Sequence, residues 1–334
     1  MTVNIVTSIE PEKWDVFVFN HPDGNIFQTR YMYDVYSNTK GYVAKAFFAV
    51  DESNEILGLI SGVGITEMEG MFSTFSRHGV VQGGPLFSEK LAFDDRKSLI
   101  NAYDAALKKY LIYNDIRNMF DQSKLNDILS DYLYHEHLDF LIDISQSEEE
   151  LWKDIHKPRR KNINRSEKQG VVIVEMSDLN NMDEFIRLIN ETYTNVKIPY
   201  PDRSLFENAM NYLLPEKYVK FFIAKNEANH IIGCRAVLLY KDMVYDWYAG
   251  ADHNYLDLYP NDILVWHILK WGSANNYTVF DFGGAGEPDK PYGPREFKRR
   301  FGGELVNYGR YTRIYSPLKL WIAKKGMFLY QKIK

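Results

Sequence analysis

The stretch Asp281–Phe301, DFGGAGEPDKPYGPREFKRRF, decides how the chain is read. It opens on the end of an apolar run, Val279 to Phe282, and passes into a Gly-Gly-x-Gly turn at Gly283, Gly284 and Gly286. Glycine permits close backbone approaches and conformations that other residues resist. Pro288, Pro291 and Pro294 then hold a loop open, because proline lacks the N–H that helices and ladders need. The stretch closes on Phe297-Lys298-Arg299-Arg300-Phe301, which with Arg295 puts four cations within six residues. A strand end, a glycine turn, a braced loop and a positive pole suit a ligand site. The plainer reading of such a short pattern is a loop and a capped helix with a solvated face.

The rest of the chain bounds the reading. A length of 334 residues suggests two domains, at roughly 100–200 residues each. With 45% hydrophobic and 25% charged residues, the composition is that of a soluble globular protein with enough apolar material for two cores. The 24 Tyr, 20 Phe and 6 Trp suit grooves as well as cores. A net charge of −5 excludes a global basic field for nucleic acid, so any RNA contact must be local. One cysteine, Cys234, excludes an internal disulfide and a cysteine-rich zinc site. No metal is expected: His135 and His137 flank Glu136 without further ligand spacing. MTVNIVTSIEPEKW has no basic-then-apolar leader and no run of ~18 apolar residues occurs, so a cytoplasmic protein without a membrane span is expected.

Upstream of the quoted stretch, VVIVEM reads as a strand and Leu179–Val196 as a helix. Asp202 caps a helix that Pro215 stops, and three strand-like runs follow at Val219–Lys225, Ile231–Tyr240 and Met243–Gly250. A helix from Pro260 or Asn261 to near Gly272 leads back to the strand at Val279. Beyond the stretch, Glu304–Tyr315 reads as a strand pair or one long strand, and Pro317 opens a helix. The first half has the same order. A strand (NIVTSI), a Pro11 helix and a short helix (YMYDVYSNT) precede strands at Tyr42–Val50, Glu55–Gly64 and near Met71–Ser76. A Gly/Pro-marked loop over Ser76–Phe87, a helix over Asp94–Tyr113 and a strand over Asp139–Ile144 complete it. Both halves thus predict α/β domains built on mixed sheets, in tandem over residues 1–145 and 146–334, without a residue-level repeat.

At the junction, Ser147 and Glu150 form a capping box. The helix it starts is interrupted at Pro158. Lys157, Arg159, Arg160, Lys161, Arg165 and Lys168 then place six cations in twelve residues, with Gly170 as the C-cap. Such a run is ordinarily a solvated helix face; the alternative is a phosphate-facing surface.

Six segments in chain order, FNHPDGNIFQT and SRHGVVQGGP in the first half, then KPRRKNINRSEKQGV, YDWYAGADHNYLDLYPNDILVWHILKWG, FDFGG and EFKRRFGG, resemble the landmarks of the FemABX family, within the acyl-CoA N-acyltransferase (GNAT-like) fold. The resemblance implies two GNAT-like domains. It also implies transfer of an aminoacyl group from aminoacyl-tRNA, or of an acyl group, to an amine of a peptidoglycan precursor, with no cofactor beyond the donor. It places the family's Phe-Lys-x-x-Phe-Gly motif on Phe297 and Lys298, beside the reacting ester, where Lys298 would either stabilise the tetrahedral oxyanion or clamp a phosphate. Tyr248 and Asp246, on strand YDWY, would line an acceptor groove together with Lys197 and Tyr200 on loop VKIPYPD; Arg160 and Arg300 would meet phosphates. Asp281 is either a base or a turn acid. The first half departs from the bridge-forming enzymes: Gln28-Thr29 is followed by Tyr31 and Tyr33, and the first lysine after them is Lys40.

The donor separates two enzyme readings. A CoA pyrophosphate needs glycine N–H groups at a helix N-terminus. The corresponding run Ala251–Ile263 has no glycine and holds Asp252, Asp257 and Asp262. An RNA acceptor end needs local cations and stacking aromatics, which Arg295–Arg300, Tyr292, Phe297 and Phe301 offer. The alternatives are an acyl-CoA-dependent N-acyltransferase on an amino sugar or small amine, and a non-catalytic peptide- or glycan-binding protein.

Overall fold

The computed structural model describes residues 2–67, 70–323 and 325. The chain forms two units: Met1–Glu136 with Tyr308–Lys334, and His137–Asn307.

In unit one, β1 (Asn4–Val6) leads to α1 (Pro11–Asn20) and α2 (Arg30–Asn38). Pro11 stands in the first turn of α1, where its missing N–H is no loss. The Thr29 side chain caps α2 by accepting from the Met32 N–H at 3.2 Å. Strands β2 (Tyr42–Val50), β3 (Ile56–Thr66), β4 (Arg77–Gln82) and the short β5 (Leu86–Phe87) follow. Then come α3 (Phe93–Leu107), β6 (Tyr113–Arg117) and β7 (Leu133–His135). Leu99, Ile100, Tyr103 and Leu107 recur at helical spacing and bury one stripe of α3 against the sheet.

Unit two begins with β8 (Leu138–Asp143), α4 (Glu148–Asp154) and α5 (Lys157–Lys168). Next are β9 (Val172–Met176), α6 (Met182–Asn195) and α7 (Ser204–Tyr212), then the meander β10 (Val219–Lys225), β11 (Ile231–Tyr240) and β12 (Met243–Ala251). Last come α8 (Pro260–Ala274), β13 (Val279–Gly286), α9 (Gly293–Arg299) and β14 (Glu304–Asn307). The chain then returns to unit one with β15 (Arg310–Ile314).

The two sheets share one topology. Unit one runs β1-β2-β3-β4-β6-β15-β7, with β5 on β3; unit two runs β9-β10-β11-β12-β13-β8-β14. In each, an antiparallel meander meets the strand after the long helix in parallel, β4 with β6 and β12 with β13. Each sheet is then continued by an antiparallel strand from elsewhere in the chain: β15 on β6, β8 on β13. The α8 face of the unit-two sheet buries Phe222, Val237, Val244, Leu264, Phe280 and Phe282. Phe185 of α6 packs edge-on against Phe206 and Phe221, and the Cys234 thiol meets the Phe185 carbonyl at 3.7 Å, as a strand residue under α6 should. Gly250 permits this approach, because a Cβ there would lie 2.7 Å from the backbone carbon of Leu188.

Four expectations change. The run 71–76 is not a strand: Gly70–Phe75 is a 3-10 turn, closed by the Ser76 N–H on the Ser73 carbonyl at 3.2 Å. The strand is instead β4, inside the stretch read as a loop, where Val80 and Val81 supply its β-branched centre. The helix expected to reach Tyr113 ends at Leu107, and Tyr113–Arg117 is β6, with Asn114 and Ile116 buried. The boundary expected at 145 lies at Glu136, because Leu138, Phe140 and Ile142 of β8 enter the unit-two core. Finally, Glu304–Tyr315 is neither a pair nor one strand. β14 bonds β8 in one sheet and β15 bonds β6 in the other. The helix opened by Pro317 is described over 317–323; the remainder of that expectation lies outside the described residues.

Candidate active site

The centre of the site is where β12 and β13 part. They pair in parallel over only three positions, the last being Tyr245 with Asp281. Beyond it β12 continues on β11 to Ala251, and β13 continues along β8 to Gly286 with two register shifts. The expected glycine turn is therefore an irregular strand, with Gly283 at φ +67° and Gly286 at φ +78°. The register of β12 on β11 also shifts at Trp247, which bulges between Asp246 and Tyr248. Backbone groups that would have bonded across β12 and β13 are left facing a notch.

Lys298, on α9, reaches back to β13 just past the split. Its ammonium donates to the carbonyls of Phe282, Gly283 and Gly284 at 2.6, 2.9 and 2.9 Å. All three of its donors are thus used, and the bend at Gly283 brings three consecutive carbonyls to one point. Burial pushes its pKa below the usual lysine value, against the pull of Asp246, Asp139 and Asp281. Asp281 is fully buried, and its Oδ1 accepts from the Gly283 N–H at 2.7 Å, fixing the bend. Burial, and then the neighbouring Asp139 carboxyl, push the Asp281 pKa well up, so this group holds a proton where ordinary carboxyls have lost theirs. Its bond from the Gly283 N–H is that of a turn acid, while Oδ2, also buried, meets no hydrogen-bond donor among the described residues.

Asp246 lies on the other wall. Its Oδ2 accepts from Arg235 Nη1, while Oδ1, also buried, meets no hydrogen-bond donor among the described residues. Burial raises the Asp246 pKa, opposed by Arg235 and Lys298. Tyr248 packs against Phe206 with ring centroids 5.0 Å apart and against Tyr193 at 5.9 Å. Tyr193 was not singled out from the sequence. Burial raises its hydroxyl pKa, and the nearby Tyr248, Asp246 and Tyr292 add to the rise. The signal was its place in the last turn of α6, one turn after the buried Ile189, but only a tertiary fold shows which strand that turn meets.

The remaining residues divide. Phe297 packs on Phe301 at 5.2 Å and carries the Arg159 guanidinium 4.3 Å above its ring. Lys197 occupies a left-handed turn at φ +56°, and Tyr200, 47% exposed, lies three residues further along the same loop. Arg160 sits in the first turn of α5, with its N–H on the His156 carbonyl. Arg300 donates to Glu296 at 2.8 Å, and so does Arg299. These two pairs pull the Glu296 carboxyl down to about 2. Arg295 braces the loop from inside, bonding the carbonyls of Ala285 and Pro288 at 2.8 and 3.1 Å and that of Glu287. The four cations that looked like one positive pole are therefore each engaged with groups of their own segment. In the junction cluster, Arg159 forks onto Asp262 at 2.9 and 3.1 Å, and Arg165 bonds the Tyr259 hydroxyl at 2.9 Å.

Asp262 decides what the N-terminus of α8 can hold. It is 4% exposed, stands in the first turn and takes Arg159 and Asn162. The helix end that could otherwise receive a diphosphate already holds a carboxylate of this chain.

A mixed sheet split between its fourth and fifth strands, with α8 leading into the fifth, is the arrangement of a GNAT-type domain. Residues 156–299 match the family model described as an acetyltransferase (GNAT) domain. Several solved structures share the fold over nearly the whole chain. FemX has a TM-score of 0.69 and 16% identity, covering 97% of this chain and 100% of its own. L-PGS from Bacillus licheniformis has a TM-score of 0.58 and 15% identity, covering 95% and 97%. A tandem GNAT protein from the clavulanic acid biosynthesis pathway has a TM-score of 0.58 and 9% identity, covering 95% and 99%. No curated protein sequence matches this chain. The chain thus has the two-domain GNAT-like fold, and its resemblance to FemABX and GNAT-like acyltransferases holds. Among the described residues no helix is long and apolar enough to cross a membrane, and no group of three metal-ligating side chains occurs.

Proposed function

We propose that this protein is a FemABX-like transferase, moving an aminoacyl group from an aminoacyl-tRNA ester to an amine of a cell-wall peptide precursor. One observation carries the reading: a lysine ammonium fixed at the split between β12 and β13, with a buried carboxylate oxygen, Asp246 Oδ1, on the opposite wall. In aminolysis the amine nitrogen attacks the ester carbonyl carbon and negative charge develops on the carbonyl oxygen. The C–O bond to the ribose then breaks, and the amine's proton ends on the departing hydroxyl oxygen. A cation held in a water-poor notch favours the charged intermediate by its field, typically by about 3–4 kcal/mol for a well-placed group. Lys298 acts through that field and through the backbone it fixes, since its donors are engaged. Asp246 Oδ1 receives the N–H of the incoming amine, and Tyr248, Tyr193, Lys197 and Tyr200 flank its approach. Arg160 and Arg300 remain the proposed phosphate contacts, Arg300 after release from Glu296.

Asp262 supports the tRNA donor over CoA, because a diphosphate at the α8 N-terminus would have to displace its pairing with Arg159. The acyl-CoA reading keeps two points in its favour, the match of residues 156–299 to the acetyltransferase (GNAT) family model and the shared fold with a tandem GNAT protein. The test is transfer to amine-bearing precursor peptides by purified protein, with aminoacyl-tRNA and acetyl-CoA offered separately. Transfer from acetyl-CoA alone refutes the tRNA donor. No transfer and no binding of either donor favours a binding protein.

A further inference from the structure

The run 305–334 carries Arg310, Arg313, Lys319, Lys324, Lys325, Lys332 and Lys334 and no acid, in a chain whose net charge is −5. Its beginning is tied to unit one. Arg313 reaches Asp104, and Asp131 at 3.2 Å, while the N–H groups of Tyr315 and Ser316 both donate to the Ile112 carbonyl, at 2.8 and 3.0 Å. A helix then starts at Pro317, and the Leu320 N–H closes its first turn on the Ser316 carbonyl at 3.0 Å. Leu318 is 69% exposed, Trp321 60% and Ile322 38%. Their spacing of three and four residues puts them on one face. Lys319 and Lys325 are exposed as well, with the Lys325 ammonium 5.8 Å from the Trp321 ring. The sequence goes on through Met327, Phe328, Leu329 and Tyr330 to Lys332 and Lys334.

We propose that this helix binds the surface of an anionic lipid bilayer, lying in the interface rather than crossing it. Leucine, isoleucine and tryptophan held in water on one face lose hydration cost when they enter the headgroup region, where tryptophan in particular settles. The lysines are drawn to anionic headgroups, and their long stems let the charge stay in the polar layer while apolar neighbours sink. Nucleic acid would use the cations but has no place for Leu318 and Ile322. The core of a protein interface excludes lysine, and a second copy of the same face would bring like charges together. The inference is independent of the transfer chemistry, because every residue it uses lies in the terminal segment of unit one.

The experiment is flotation of the full chain with vesicles of phosphatidylcholine alone, and of phosphatidylcholine with about 30% phosphatidylglycerol. Anionic vesicles should float the protein and neutral ones should not. Roughly 0.5 M salt should release it, as expected for contacts screened within a few ångströms. Lys319→Gln with Lys325→Gln should weaken binding by roughly fivefold per lysine. Trp321→Ser should weaken it independently of salt, and bromine-labelled lipid should quench tryptophan emission in the native chain but less in Trp321→Phe. These side chains are exposed, so thermal midpoints should not move. Equal flotation with neutral vesicles, or undiminished flotation of both variants, overturns the proposal. So does preference for a single-stranded RNA over anionic vesicles, or a concentration-dependent dimer that Trp321→Ser abolishes while vesicles fail to bind.

Discussion

Lys298→Met is the substitution that asks most of this structure. Methionine keeps the length of the stem and removes the charge. Three backbone carbonyls lose their donor, and Asp246, Asp139 and Asp281 lose their common cation. Breaking one side of a buried charge arrangement costs about 3–5 kcal/mol. For a unit the size of His137–Asn307, each kcal/mol moves the unfolding midpoint by about 2–4 °C, so a drop of roughly 6–20 °C is expected in the unit-two transition. Transfer should fall by about 10²–10³ if the field of the ammonium acts on the reacting carbonyl. The two effects separate by temperature. Scanning calorimetry gives the midpoint, and transfer is then measured well below it, where both proteins are folded. Lys298→Arg is the companion, because a planar fork cannot meet three converging carbonyls as a compact ammonium does. It should recover part of the stability and little of the rate. A Lys298→Met protein that melts within about 2 °C of the native one refutes the cage energetics. One that melts early but transfers at full rate when folded refutes the catalytic role and leaves the lysine a strut.

Other outcomes follow from the same geometry. Asp281 has its folded-state pKa raised, so the native state keeps a proton that the unfolded chain sheds above about pH 3.9, and its contribution to stability declines as pH rises through the folded value. Asp281→Asn, which can still accept from Gly283, should therefore be more stable than the native chain at pH 7, with the advantage vanishing near pH 4; a gain independent of pH counts against this, and burial, Asp139 and Lys298 set its size. Gly283→Ala forces a side chain to φ +67° and should cost about 1–2 kcal/mol, with transfer impaired because the bend that aims the carbonyls relaxes; chemical denaturation and a rate assay check both. Arg159→Ala strands Asp262 in the first turn of α8 and uncovers Phe297, so a loss of about 3–5 kcal/mol is expected in the same denaturation assay. Glu296→Gln releases Arg299 and Arg300, and RNA binding at low salt should tighten without a change in midpoint.

Much of the architecture was legible because periodicity and punctuation act locally. The Ser147–Glu150 box, Pro260 in the first turn of α8 and the apolar runs of β10 and β11 are settled by neighbouring residues. What failed was non-local. Asp139–Ile144 reads as a strand by itself, but nothing within it says that its partners are Val279–Gly286 and Glu304–Asn307 rather than the strands that precede it. The stretch 77–82 was hidden by Gly79 and the following Gly83-Gly84, which look like a turn until β3 and β6 are seen on either side. At the site, the positive pole dissolved for a similar reason. Counting Arg295, Lys298, Arg299 and Arg300 registers their charges, whereas the carbonyls and the Glu296 carboxylate that engage them appear only once the loop is closed. Lys298 was findable from its motif; Tyr193 and the orphan oxygen of Asp246 needed the third dimension.

The strand order bears on how the molecule comes off the ribosome. β6 and β7 both wait for β15, the last strand described, and neither bonds the other without it. By the time Arg310–Ile314 emerge, all of His137–Asn307 has already been translated and can have folded. The earlier-made half therefore spends most of synthesis with a ragged flank, its β6 edge open to pairing with a neighbouring nascent chain. Premature termination between Asn307 and Arg310 should leave an aggregation-prone product even though every strand of the later-made sheet is present.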